Sequence, residues 1–200
     1  MRILLVGATG AIGRQVKAAL DTRHEVITAG RNSGNLQVDI TDAASIERLF
    51  RQAPALDACI VTAGSSHMES FQTLTEERLM PDIRSKLLGQ VNMVLIGQHY
   101  LNDNGSFTLT SGILADEPAR HTAAASIVSG AIHSFGMAAA AELQRNLRIN
   151  VVSPGLAADS YAAIGHLFPG FHPVPMQKLV NAYLKSVEGG INGQVIRVYA

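Results

Sequence analysis

The chain has 200 residues, with 16 basic and 16 acidic side chains, a net charge of zero, one cysteine, no tryptophan and 47% hydrophobic residues. That size holds one domain with a real core, and balanced charge excludes the polyanion-binding classes, nucleic acid and acidic membrane surfaces alike. Cys59 alone cannot close an internal disulfide, Gly7 interrupts the first apolar run too early for a signal peptide, and no later run reads as a membrane span. The expectation is a single-domain cytoplasmic protein.

Short apolar runs alternate with longer amphipathic stretches, the pattern of an α/β domain. Strands are predicted at Ile3 to Val6, Glu25 to Thr28, Ala58 to Thr62, Ser106 to Thr110, Ile149 to Val152 and Val195 to Val198, with a short one at Gln37 and Val38. Most are apolar on both faces, as strands covered by helices on each side must be. Helices are predicted at Ala11 to Asp21, Asp42 to Gln52, Pro81 to Leu101, Thr122 to Asn146 and Met176 to Val187. Pro81 suits a first helical turn, where its missing N–H is harmless. Ile83, Leu87, Val91 and Leu95 then form one stripe, expected to be buried. From Ala123 to Ala141 small and apolar residues run round nearly the whole helix, so burial against a second copy of the chain is expected; sinking between sheet and loops is the alternative.

Gly7-Ala8-Thr9-Gly10-Ala11-Ile12-Gly13 follows the first strand and opens the first helix. In that context Gly7 permits the turn, Gly10 lets a pyrophosphate approach the backbone, and Gly13 allows close helix-on-strand packing. After the second strand comes Gly30-Arg31-Asn32-Ser33 in place of the acidic residue that receives the ribose of NAD. A guanidinium there suits a 2′-phosphate, which favours NADP over NAD; an exposed loop arginine is the other reading. Asp39 either accepts from an adenine amino group or caps the next turn.

With these landmarks placed, the chain resembles the short-chain dehydrogenase/reductase family over nearly its full length. The resemblance rests on the glycine turn, Val38-Asp39-Ile40, Thr62-Ala63-Gly64, Thr110-Ser111, Asn150-Val151-Val152-Ser153-Pro154-Gly155 and Gly193-Gln194-Val195, all in order. It implies a single doubly wound Rossmann domain with a parallel sheet of about seven strands in the order 3-2-1-4-5-6-7. It also implies a dinucleotide held by Gly7, Thr9, Gly10, Ile12, Gly13, Arg31, Asn32, Asp39, Ile40, Ala63, Gly64, Pro154 and Gly155. Homodimers or homotetramers through the helices near 83–101 and 122–146 are expected on the same ground.

The departures bear on chemistry. The family's tyrosine and lysine, four residues apart in the long helix, fall on Ala125 and Ser129, and no tyrosine lies between Tyr100 and Tyr161. The usual proton relay is therefore absent. Lys86 stands where the family has an asparagine, Ser111 where it has the active-site serine, and Tyr161 lies in the segment expected to form the substrate lid. One reading is an oxidoreductase that reduces a small carbonyl, or oxidises the alcohol, with Ser111, Lys86 and Tyr161 as replacement parts. Against it, Lys86 is an ordinary helix lysine reaching solvent or pairing with Asp82, Tyr161 a lid-edge residue, and His121 and His133 surface or packing histidines. The alternative reading of the whole is an NADP(H)-binding sensor or regulatory protein without turnover.

Overall fold

Apolar runs too short for helices and hydrophobic on both sides become the strands of one parallel sheet, and the amphipathic stretches between them become its two covering layers. The computed structural model describes all 200 residues. Its strands are β1 (Arg2–Val6), β2 (Glu25–Gly30), β3 (Leu36–Gln37), β4 (Leu56–Val61), β5 (Leu101–Thr110), β6 (Arg148–Pro154) and β7 (Val195–Val198). They lie in the order β3-β2-β1-β4-β5-β6-β7, as the resemblance implied. Val6 pairs with both Ala29 and Val61, Thr110 with Val152 and Pro154 with Val198, so the carboxyl ends share one edge.

One face packs against α2 (Ala43–Gln52), α4 (Gly89–Gly97) and α5 (Ala123–Glu142), through Ile46, Met93, Val94 and Ile132. The other packs against α1 (Ala11–Leu20) and α7 (Met176–Glu188), through Val16, Leu20, Val180 and Tyr183. Cys59 is fully buried, which drives its thiol pKa far up and leaves it a core residue. Two further helices complete the fold: α3 (Glu76–Asp82) runs into α4 through a π-helical segment at Ile83–Leu88, and α6 (Ala158–Ile164) follows β6.

Three sequence expectations change here. Pro81 lies inside a helix that already begins at Glu76, where Thr75 caps it by accepting from the Arg78 N–H. The ladder passes the proline by opening into the π-segment, whose wider turn turns the following helix about its axis. The buried face of α4 is consequently Gln90, Met93, Val94 and Gly97, and of the stripe expected to be buried Leu95 is exposed while Ile83, Leu87 and Val91 are only half-buried. This helix stops at Gly97 because Leu101 already pairs with Leu56 in the sheet.

α5 ends at Glu142, since Arg145 and Asn146 turn the chain toward β6 with positive φ angles. Its Ala124, Ala125, Val128, Ser129, Ile132, His133 and Gly136 face the fold, while Ile127 and Met137 face outward. Contrary to the sequence expectation, this helix is by length and composition apolar enough to cross a bilayer. Its buried face makes it a covering layer of the sheet.

Candidate functional site

The site lies along the carboxyl edge of the sheet, where doubly wound folds bind ligands. At its centre the turn after β1 is steric necessity. Gly7 has φ +92, and a Cβ there would lie 2.7 Å from the Ala63 nitrogen; one on Gly13 would lie 2.2 Å from the Gly7 carbonyl oxygen. Gly10 differs, because a Cβ there meets nothing nearer than 3.5 Å and the residue is exposed. It is the N-cap of α1, no side chain caps that helix, and the N–H groups of the first turn stay open. By contrast α2 is closed by Asp42, which accepts from the Ala44 N–H at 2.9 Å. An open helix N-terminus behind a cradle free of side chains fits a dinucleotide pyrophosphate. Thr62 braces the cradle by donating to the carbonyls of Val6 and Gly7 at 3.0 and 3.1 Å.

Arg31 follows β2 at the same edge, with its side chain 64% exposed and its guanidinium 3.4 Å from Asp39 Oδ1. That oxygen also accepts from the Thr41 N–H and hydroxyl at 2.9 and 2.7 Å. The Thr41 contacts, with Arg31 behind them, hold the Asp39 carboxyl below the ordinary aspartate range. Asp39 thus makes the turn-capping contacts expected of it. Thr9 and Asn32 are exposed beside the cradle. Ile40 is a core residue packed against Gly89, and Ile12 packs toward Val174 and Leu179.

Lys86 lies in the π-segment, its backbone against Gly64: a Cβ on Gly64, at φ +126, would sit 3.0 to 3.3 Å from Lys86 Cα, Cβ and Cγ. Its ammonium has no hydrogen-bond or ion-pair partner. The expected pairing with Asp82 does not form, because that fully buried carboxylate accepts from the His67 N–H at 2.8 Å and lies 2.5 Å from its Nδ1. Burial lowers the Lys86 pKa below the usual lysine value, with the more distant Asp82 charge opposing it.

Sequence reasoning missed Gln90, which fixes this segment. Fully buried, it donates to the carbonyls of Thr110 at 2.8 Å and Lys86 at 3.2 Å and accepts from the Thr110 N–H at 2.8 Å. Both ends of one amide thereby tie the lysine's turn to the end of β5. A lone glutamine inside an apolar helix was the available signal. On the opposite face the Thr110 hydroxyl meets the Val61 carbonyl and the buried Tyr183 hydroxyl, at 2.7 and 2.8 Å.

Ser111 follows at the end of β5, only 3% exposed, its Oγ 2.6 Å from His133 Nε2. The Ser111 hydroxyl is thus engaged by a histidine of α5. His133 is itself buried, so its ring is neither on the surface nor merely packed. Burial lowers its pKa, the Asp116 charge raises it and that of Arg197 lowers it again. Asp116 is gripped by Arg197 at 2.8 and 3.2 Å and by the Tyr199 hydroxyl at 2.5 Å, which also meets Ser153 at 2.9 Å. Burial, then the bond to Asp116, pushes the Tyr199 phenol up to about 12.

After β6, Gly155 donates to the Val198 carbonyl at 2.9 Å, and a Cβ on it would lie 2.8 Å from Val174. Beside it Pro154 is buried in β6. Leu156 and Ala158 bond to Val174, pinning the base of the lid. Tyr161 lies on α6 with its ring over Gly165, 40% exposed and joined by no hydrogen bond to Ser111 or Lys86. The lid's Phe168 is buried and meets Phe171 edge-on at 5.6 Å. Phe171 with Met68, Leu167 and Pro169, and with the polar Glu69, Ser70, Arg120, His121 and His166, lines a cleft of about 700 Å³ between the expected lid and two loops. His121 holds its place there with φ +65, its carbonyl accepting from the Glu69 N–H.

This architecture has counterparts. A family profile described as enoyl-(acyl carrier protein) reductase matches residues 6–171. The protein lin1944 from Listeria innocua is 44% identical, with a TM-score of 0.98 and full coverage of both chains. A small-chain dehydrogenase solved with NADPH is 26% identical at a TM-score of 0.88, covering 100% of this chain and 96% of that one. A short-chain type dehydrogenase/reductase from Mycobacterium ulcerans, 19% identical at a TM-score of 0.82 over 98% of this chain and 87% of its own, shares the fold. No curated protein matches. The chain belongs to the short-chain dehydrogenase/reductase family, whose fold is that of oxidoreductases.

Proposed function

We propose that the chain is an NADP(H)-dependent oxidoreductase that interconverts a small, largely apolar carbonyl compound and its alcohol. When bound, the dinucleotide supplies or takes the hydride. The observation that carries the reading is Lys86: an ammonium with no hydrogen-bond or ion-pair partner, on a half-buried residue whose backbone and stem lie against Gly64 and whose turn the Gln90 clamp ties to the end of β5. A fixed cation in a partly dry site stabilises the negative charge that grows on a carbonyl oxygen, and needs no reorganisation to do so. Gly10 and the open first turn of α1 would hold the pyrophosphate, and Arg31, exchanging its weak contact with Asp39 for a bidentate one, would hold the 2′-phosphate. The NADPH complex of a relative supports the same choice of nucleotide. The cleft beside the expected lid offers Met68, Leu167, Pro169 and Phe171 to the apolar part of a substrate.

The test is a calorimetric titration with NADPH and NADH, followed by an assay of nicotinamide absorbance over a panel of aldehydes, ketones and quinones. NADPH is expected to bind at least about tenfold tighter than NADH, roughly 1.4 kcal/mol, and to be consumed with some member of the panel. Failure of both nucleotides to bind overturns the reading. A second reading, a cofactor-binding sensor without turnover, is favoured by Ala125 and Ser129, which are 3% and 1% exposed and hold no group able to pass a proton from the usual place. Tight NADPH binding without consumption selects it. The exposed Leu95, Ile127 and Met137 on α4 and α5 support a homodimer or homotetramer across those helices. Light scattering of wild type and of Leu95→Glu tests this, with a shift toward monomer expected in the variant.

A further inference from the structure

We propose that His133, acting through the hydroxyl of Ser111, holds and releases the proton at the nicotinamide end of the site; this rests on the oxidoreductase reading. The argument begins from α5. Ala125 and Ser129 occupy the positions of the missing tyrosine and lysine, and His133 continues the same helix face one turn further on. Helical side chains lean toward the N-terminus, so His133 points back toward the carboxyl edge of the sheet and reaches Ser111 Oγ at 2.6 Å. Every other buried residue of that face is small or aliphatic, save Ser129.

The ring's charged surroundings are few. From the turn after β5 comes Asp116, and from β7 Arg197, with Tyr199 bonded to the same carboxylate. From β6 comes Ser153, bonded to Tyr199; the charged residues of β5 and β6, Asp103 and Arg148, lie toward the opposite end of the strands. In the helices beside α5, Asp82 is taken by His67, Lys86 stands over Gly64, and α4 carries no charge. Burial thus holds the ring toward its neutral form, and the one acid facing it, itself gripped by an arginine and a phenol, opposes that.

Protons balance along this route. As a carbonyl carbon gains a hydride its oxygen gains an electron pair. An O–H bond forms there with the Ser111 proton as the Ser111 O–H bond breaks. Ser111 then takes a proton from imidazolium Nε2, leaving His133 neutral, and solvent restores it. Alcohol oxidation runs the route backward, with the neutral ring accepting.

The test uses the full chain and no substrate. NADP carries a positive nicotinamide and NADPH a neutral one, so only the oxidised form should disfavour imidazolium nearby. Calorimetry at pH values stepped down from 6.5, in buffers of different ionisation enthalpy, is expected to read proton release on binding NADP in excess of that on binding NADPH, and His133→Gln is expected to abolish the excess. The titrating 2′-phosphate is common to both forms and cancels in the difference. Ring NMR of the wild type, with His133 assigned through its response to Ser111→Ala, is expected to show a lower midpoint with NADP than with NADPH. This second readout serves if His133→Gln fails to fold. An equal midpoint in both complexes, or an excess that persists in His133→Gln, overturns the proposal while leaving the oxidoreductase reading standing. Absence of cofactor binding overturns that reading as well.

Discussion

The two halves of the carboxyl edge are built differently. Around β1, β2 and α1, glycines and open N–H groups do the work, and a single added carbon at Gly7 or Gly13 collides with backbone. Around β4, β5 and α5, side chains do it, and the positions that the resemblance aligns with the family's two asparagines, tyrosine and lysine hold Thr62, Lys86, Ala125 and Ser129. A pyrophosphate cradle is a backbone shape with few solutions. A proton or a positive charge can be delivered from several neighbouring positions, so that half tolerates rebuilding.

Substitutions sharpen this contrast. The largest effect is expected from Gly13→Val, which drives a side chain into the Gly7 carbonyl and should cost on the order of 3 kcal/mol or more, read as a lowered denaturation midpoint. Gly10→Val should leave that midpoint nearly unchanged and abolish NADPH binding, since its side chain has space in the fold and none beside a phosphate. Equal destabilisation by the two would erase the distinction between packing glycine and binding glycine. Next, Arg31→Ala should weaken NADPH by about tenfold or more and NADH hardly at all. Equal losses would detach Arg31 from the 2′-phosphate.

The smallest expected effect is on stability against pH. The folded His133 pKa is depressed by burial, so between that value and the ordinary 6.5 the unfolded chain binds more protons. Stability should therefore fall as pH drops through that window, and His133→Gln should flatten the fall. Urea midpoints measured between pH 7.5 and 5 check it; parallel curves for the two proteins would contradict it.

What was legible in the sequence follows the same division. The strands and the glycine turn are local patterns, and their order survives in the sheet. Pro81 misled because a helix was read as starting at a proline, whereas Thr75 caps it earlier and the π-segment carries it past. That segment also changed the phase of α4, which no count of four-residue spacings reveals. Ser111 and Lys86 are singled out by position, but their surroundings are not legible there. The Gln90 clamp spans 20 residues, the Ser111–His133 bond 22, and the Asp116–Arg197 pair 81. Tyr161, the one tyrosine in the expected lid, has no bond to the other two.

The central claim is that the half around β4, β5 and α5 does chemistry, with Lys86 supplying its positive charge. The measurement is NADPH consumption with the best carbonyl of the panel by wild type and by Lys86→Met, beside NADPH affinity for both. A rate about 100-fold lower with affinity changed by no more than a few-fold is the expected result, the loss typical of removing one donor to a developing oxyanion. An unchanged rate in Lys86→Met, or tight NADPH binding with no consumption by the wild type, would contradict it.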